Sequence, residues 1–203
     1  FVKDSKASLE LRNFYFNRDY RQDNAPQSKQ EEWAQGFLLR YESGFTDGLI
    51  GVGFDAIGLL GVKLDSSPDR AGSGLLKRHR DTSKGAQDEY GELGLTAKIR
   101  ASKSTLKLGT LLPKLPTVLA NDSRLLPQTF KGGQLTSLEL EGLTVDAGRL
   151  TQVNQRDSSD YEDMGITRTG AKGITTGHVD SDSFDFASLN YKWTSNLATG
   201  YSY

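Results

Sequence analysis

The feature that most constrains this chain is a period-two alternation of apolar residues sustained over long stretches. In the run from Glu92 to Arg100, Leu93, Leu95, Ala97 and Ile99 share one face, and Gly94, Thr96, Lys98 and Arg100 share the other. From Ile50 to Leu64 every second residue is again apolar or small, while the opposite face is mixed, with Gly51, Gly53, Asp55 and Lys63 beside Leu49, Ile57 and Leu59. Only an extended strand sends successive side chains to opposite sides in this way. Marking all such runs predicts about nine strands, near 7–16, 33–44, 49–64, 88–100, 104–110, 133–140, 143–153, 183–193 and 197–203. Several of these exceed the usual globular strand of about five or six residues.

The connections alternate in length. Phe45–Gly48, Ala101–Lys103, Glu141–Gly142 and Thr194–Asn196 are tight turns. The connections near 17–32, 65–87, 111–132 and 154–182 are long and polar, and all five prolines lie in them, where they block no ladder hydrogen bond. Long antiparallel strands with short turns at one end and long loops at the other predict an all-β fold, an antiparallel transmembrane β-barrel, since lipid tolerates only a closed sheet. The aromatics fit two interfacial girdles: Phe14, Tyr15, Phe16, Trp33 and Tyr90 toward the long loops, Tyr41, Phe45, Tyr191 and Trp193 toward the turns. The competing architecture is a soluble β-sandwich, a carbohydrate-binding module with Trp33 and Trp193 as stacking platforms.

Composition narrows the classes further. No apolar run approaches the roughly 20 residues of a spanning helix, and there is no cysteine. Twenty-five basic against 26 acidic residues give a net charge of -1, which argues against a nucleic-acid binder. His79 and His178, the two histidines, fall in polar connections without metal spacing, so neither a metal nor a cofactor is expected, and no catalytic set is positioned. Asp180–Ser183 lacks the calcium-loop register and is expected to be solvated. A barrel enzyme and an inert structural barrel are the remaining alternatives.

If the apolar face meets lipid, the other face lines water. That places Glu10, Arg12, Arg40, Glu42, Asp55, Lys63, Lys98, Arg100, Lys107, Asn190 and Lys192 inside, with basic residues on neighbouring strands. A row of such cations between low-dielectric walls concentrates anions, and arginine grips a carboxylate through two hydrogen bonds. Alternating charges that merely solvate the wall are the plainer alternative.

The segment Leu9–Asp19 resembles the first strand of the OprD family of outer-membrane channels. So do Trp33-Ala34-Gln35-Gly36-Phe37, Tyr41-Glu42-Ser43-Gly44-Phe45, Gly51–Ala56 and Ser123-Arg124-Leu125-Leu126-Pro127-Gln128-Thr129, in order along the chain. The resemblance implies an 18-stranded barrel of about twice this length, so residues 1–203 are expected to be the N-terminal half of a single barrel domain. It implies passive, substrate-selective uptake of small carboxylates, aromatic acids or amino acids, in the bacterial outer membrane, with outer-membrane lipid and lipopolysaccharide as surroundings and a monomer or weak trimer as the assembly. It also identifies residues 111–132 as an inward-folding constriction loop that brings Lys114, Asp122, Ser123 and Arg124 to the narrowest point. An Ω-loop closed on itself is the alternative. A family ladder residue falls near Arg149. Strict alternation puts Arg149 on the lipid side with Leu143 and Val145, but a bulge at Gly148 would turn it inward and Leu150 outward, and that bulge is the expectation here. The other possibility is an Arg149 at the outer rim, meeting lipopolysaccharide phosphate.

Overall fold

The computed structural model describes residues 1–22, 24–79, 85–167 and 178–203. Eleven strands run through them: β1 (Lys6–Asp19), β2 (Lys29–Glu42), β3 (Ile50–Asp65), β4 (Glu89–Ala101), β5 (Ser104–Leu111), β6 (Thr129–Ser137), β7 (Leu143–Asn154), β8 (Tyr161–Thr167), β9 (His178–Ser181), β10 (Phe184–Lys192) and β11 (Ala198–Ser202). Every pairing is antiparallel, and the strands form one open sheet in the order β1 to β7, then β10 and β11. All nine expected strands are present. The two additional ones, β8 and β9, pair with each other, and β8 borders the end of β7, inside what the sequence presents as one long connection. His178 therefore opens a strand rather than lying in a loop.

The turns explain the meander locally. At the β4–β5 hairpin Ser102 takes φ 52. The Glu139 carboxylate accepts from Ser102 Oγ at 2.8 Å and from the Lys103 amide at 2.9 Å, so the neighbouring turn caps this one.

The two faces of the sheet differ as the alternation predicts. Leu93 is 78% and Leu95 62% exposed, and Leu9, Leu11 and Leu39 are exposed with them. That much contiguous apolar surface fits a wall that meets lipid. The opposite face is covered from within. Leu75 and Leu76 from the β3–β4 connection, with Leu125 and Leu126 from the β5–β6 connection, pack on Ala34, Leu38, Ile57, Leu59 and Tyr90. Both connections thus fold onto the inner face and bury a shared core there. This explains why Ile57 and Leu59 are apolar on a face that otherwise lines water. A second cluster joins Leu111, Phe130, Leu150, Val153 and Phe186.

Two expectations are corrected. Of the aromatics assigned to the long-loop girdle, only Tyr15 and Trp33 lie among the exposed outer residues, while Phe14, Phe16 and Tyr90 belong to the inner core; of those assigned to the turn girdle, Phe45 lines the inner cavity. Arg149 also stays on the outer face. Gly148, Arg149 and Leu150 pair without interruption with Gln134, Gly133 and Gly132, and with Phe186, Asp185 and Phe184. The irregularity comes later, where Lys131 faces Gln152 but Gly132 faces Leu150, leaving Thr151 as the extra residue. Gly148 answers a different need, because a Cβ there would stand 2.5 Å from Cζ of the Phe186 ring. Arg149 meets Asp185 of β10 in a fork of 2.6 and 2.9 Å.

Candidate functional site

The inner face carries a cavity of about 1270 Å³ beneath the β5–β6 connection. Alternation on β2 to β6 aims Arg40, Asp55, Thr96, Lys98, Lys107 and Thr136 into it, and the connection contributes Lys114, Asp122 and Ser123. Six of the ten residues singled out from the sequence therefore line one space. Arg12 stands beside it, Arg100 lies lower on β4, Arg124 lies above it, and Arg149 is on the other side of the sheet.

Most of these cations are neutralised by acids. Arg12 on β1 donates to both oxygens of Asp122, at 2.5 and 3.0 Å, and its Nε donates to Glu10 at 2.7 Å. Arg40 on β2 donates to the other oxygen of Glu10 at 2.9 Å. The result is a chain of alternating charge that ties β1 and β2 to the β5–β6 connection. Lower in the sheet, Asp55 of β3 bridges two lysines, Lys98 at 2.5 Å and Lys107 at 2.9 Å. Lys98 is almost wholly enclosed, donates also to the Ser43 carbonyl at 2.6 Å, and stands 5.0 Å above the Phe45 ring. The Arg100 guanidinium lies 4.4 Å over the same ring.

A different arrangement surrounds Ser123. Arg124 lies over the Phe16 ring at 4.8 Å and donates to the Ser123 carbonyl at 3.1 Å, while its Nε is buried without a hydrogen-bond partner among the described residues. Arg156, from the β7–β8 connection, donates to Ser123 Oγ at 2.7 Å. Burial, and then the nearby Arg156 and Arg18, push Arg124 below the ordinary arginine value. None of these three arginines has a carboxylate within salt-bridge distance among the described residues. Like charges gathered without counter-ions are costly unless an anion joins them. The missed members, Arg18 and Arg156, differ in how they could have been found. Arg18 has the parity of Arg12 and is recovered once β1 is extended to Asp19. Arg156 sits in a connection with no periodicity to read.

Two acids anchor the surroundings, one half-buried and one wholly buried. Glu92 on β4 accepts from Thr129 Oγ1 at 2.6 Å, Asn154 Nδ2 at 2.9 Å and the Tyr161 hydroxyl, joining β4 to β6, β7 and β8. Glu32 on β2 is wholly buried and holds the β3–β4 connection. No group of three or more His, Asp or Glu placed to hold a metal ion occurs among the described residues.

A wall of long antiparallel strands, apolar outside and charged inside, with connections folded over its inner cavity, is the architecture of the outer-membrane β-barrel class. The family profile described as outer membrane porin, OprD family, matches residues 1–203, and the chain belongs to that family. It is 43% identical over 194 residues to the porin-like protein GalP of Pseudomonas putida, covering 95% of this chain and 45% of that protein. Among solved structures, Pseudomonas aeruginosa OpdQ is 60% identical with a TM-score of 0.81, over 100% of this chain and 49% of that one. Pseudomonas aeruginosa OpdK, solved with vanillate, is 42% identical with a TM-score of 0.82, over 98% of this chain and 48% of that one. The chain thus spans about half the length of these relatives. The fold is that of a bacterial outer-membrane β-barrel, and the β-sandwich alternative is set aside. Members of this family are passive channels rather than enzymes.

Proposed function

We propose that the full-length protein is an outer-membrane channel for passive uptake of small carboxylates, with an aromatic acid as the favoured class. The observation that carries this reading is the contrast among the inner-face cations. Arg12, Arg40, Lys98 and Lys107 are matched by Glu10, Asp122 and Asp55, and they supply a field with little net attraction. Arg124, Arg156 and Arg18 have no carboxylate within salt-bridge distance among the described residues, and Arg124 and Arg156 both donate to Ser123, at its carbonyl and at its Oγ. Two oxygens of a carboxylate would meet the guanidinium forks there. Apolar Leu112, Pro113, Leu115 and Pro127 line the cavity below and suit an aromatic body. In this reading residues 111–132 form the constriction. Vanillate in the OpdK structure is an aromatic carboxylate, which favours the same class.

No chemical step and no cofactor take part. A carboxylate enters at the long-connection end, pauses at Arg124 and Arg156, and passes the paired residues below by brief exchange of partners. Ion binding that is too tight would stop flux, so paired cations below the open cluster suit release. The test is block of single-channel current by benzoate. Arg124→Ala and Arg156→Ala should each weaken block by about tenfold, the worth of one charge-assisted hydrogen bond. Arg149→Ala, on the outer face, should leave it unchanged. Unaltered block in both inner variants would refute carboxylate recognition at this cluster.

A further inference from the structure

Residues 66–79 of the β3–β4 connection do more than cover the inner face. Glu32 is wholly buried, and among the described residues the donors that reach it all come from this segment: Ser66 Oγ at 3.2 Å, the Ser73 amide at 2.9 Å, and Ser73 Oγ. A buried carboxylate without such donors carries a large desolvation cost, so segment and carboxylate fix each other. The segment is pinned again two residues on, where the Tyr90 hydroxyl donates to the Leu75 carbonyl at 2.8 Å. Leu75 and Leu76 then share a core with Leu125 and Leu126, the residues that follow Arg124.

Between the two pins lies Gly74, at φ +74. A Cβ at this position would stand 3.1 Å from Nη2 of Arg156. The other terminal nitrogen of the same guanidinium holds Ser123 Oγ at 2.7 Å. Arg156 therefore reaches Ser123 by lying against a backbone position that has no side chain. The left-handed φ favours glycine there, and a Cβ would make the guanidinium give way by a few tenths of an ångström.

Resting on the carboxylate reading above, we infer that residues 66–79 are a second element of the substrate site, in which Glu32 and Gly74 are positioning residues that hold the Arg156 guanidinium at Ser123 beside Arg124. Neither touches the anion. Their effect on affinity runs through Arg156, so it vanishes when Arg156 is absent. A merely structural role would persist.

The experiment is a double-mutant cycle on the full-length protein in planar bilayers, with benzoate block as the readout and heat-modifiable gel mobility as the check on assembly. Gly74→Ala should weaken block several-fold when Arg156 is present and have no effect in the Arg156→Ala background. Ser73→Ala removes one donor to Glu32 without backbone strain, and it should show the same dependence even if Gly74→Ala does not assemble. Weakened block in Arg156→Ala together with unchanged block in Gly74→Ala and Ser73→Ala overturns the positioning role alone. So does weakening of equal size in both backgrounds. Unchanged block in Arg156→Ala overturns the carboxylate reading and the positioning role together.

Discussion

Asp157 neighbours Arg156 in sequence and shares its surroundings. Its carboxyl is raised from the ordinary 3.8, chiefly by burial, with Glu162 and Glu32 adding to the shift and Arg156 opposing it. The sign follows from linkage. Folding raises the pKa of this acid, so its ionised form costs stability above that pKa, and the cost is relieved as the pH falls through it. Asp157 therefore takes up its proton before an exposed aspartate would and removes a negative charge beside the arginine cluster. Anion preference should rise as the pH is lowered toward the ordinary carboxylate range. Asp157→Asn should raise it already at pH 7 and flatten the response. Reversal potentials measured across a chloride gradient at several pH values check this, and a fall in anion preference on acidification would contradict it. At this same scale the sequence is legible wherever alternation holds, as at Arg12, Arg40, Lys98 and Lys107. It misleads at Gly148, because a glycine in a strand signals either a bulge or a close approach. The Phe186 ring that decides between them arrives from a strand 38 residues away in sequence.

Among elements, the β5–β6 connection is held by three kinds of contact. Asp122 forks onto Arg12, Ser123 accepts from Arg156, and Leu125 and Leu126 are buried. The buried leucines carry the packing energy, since a half-exposed ion pair contributes only about 1 kcal/mol or less. Asp122→Asn should therefore leave the barrel assembled and the connection seated, while freeing part of the Arg12 charge. Anion preference should rise, and open-channel noise should increase as one tether is lost. A drop in anion preference, or failure to assemble, would contradict this division of labour. Elements with long alternation are found from sequence to within a few residues. The β8–β9 hairpin is not, because Tyr161–Thr167 opens with a run of Glu162 and Asp163 that breaks the apolar period. Its place is set by the Tyr161 hydroxyl on Glu92, a contact no local pattern reveals.

For the whole molecule, the meander of antiparallel strands follows from turn chemistry and alternation, and both are written in the chain. The inward-folded connections are only half written. Paired leucines at 125–126, followed by Pro127, mark one of them, whereas Leu75 and Leu76 lie in a polar stretch and announce the other only through their burial. Together the two connections help place arginines that form no salt bridge among the described residues above paired ones. That arrangement is the basis for reading the protein as a carboxylate channel. The most direct test is the single-channel reversal potential of the full-length protein with potassium benzoate on one side and potassium chloride on the other. A benzoate permeability exceeding what its size alone allows, with chloride current blocked as benzoate is added, is the predicted result. A channel that ranks the two anions by size and shows no block would contradict the central claim.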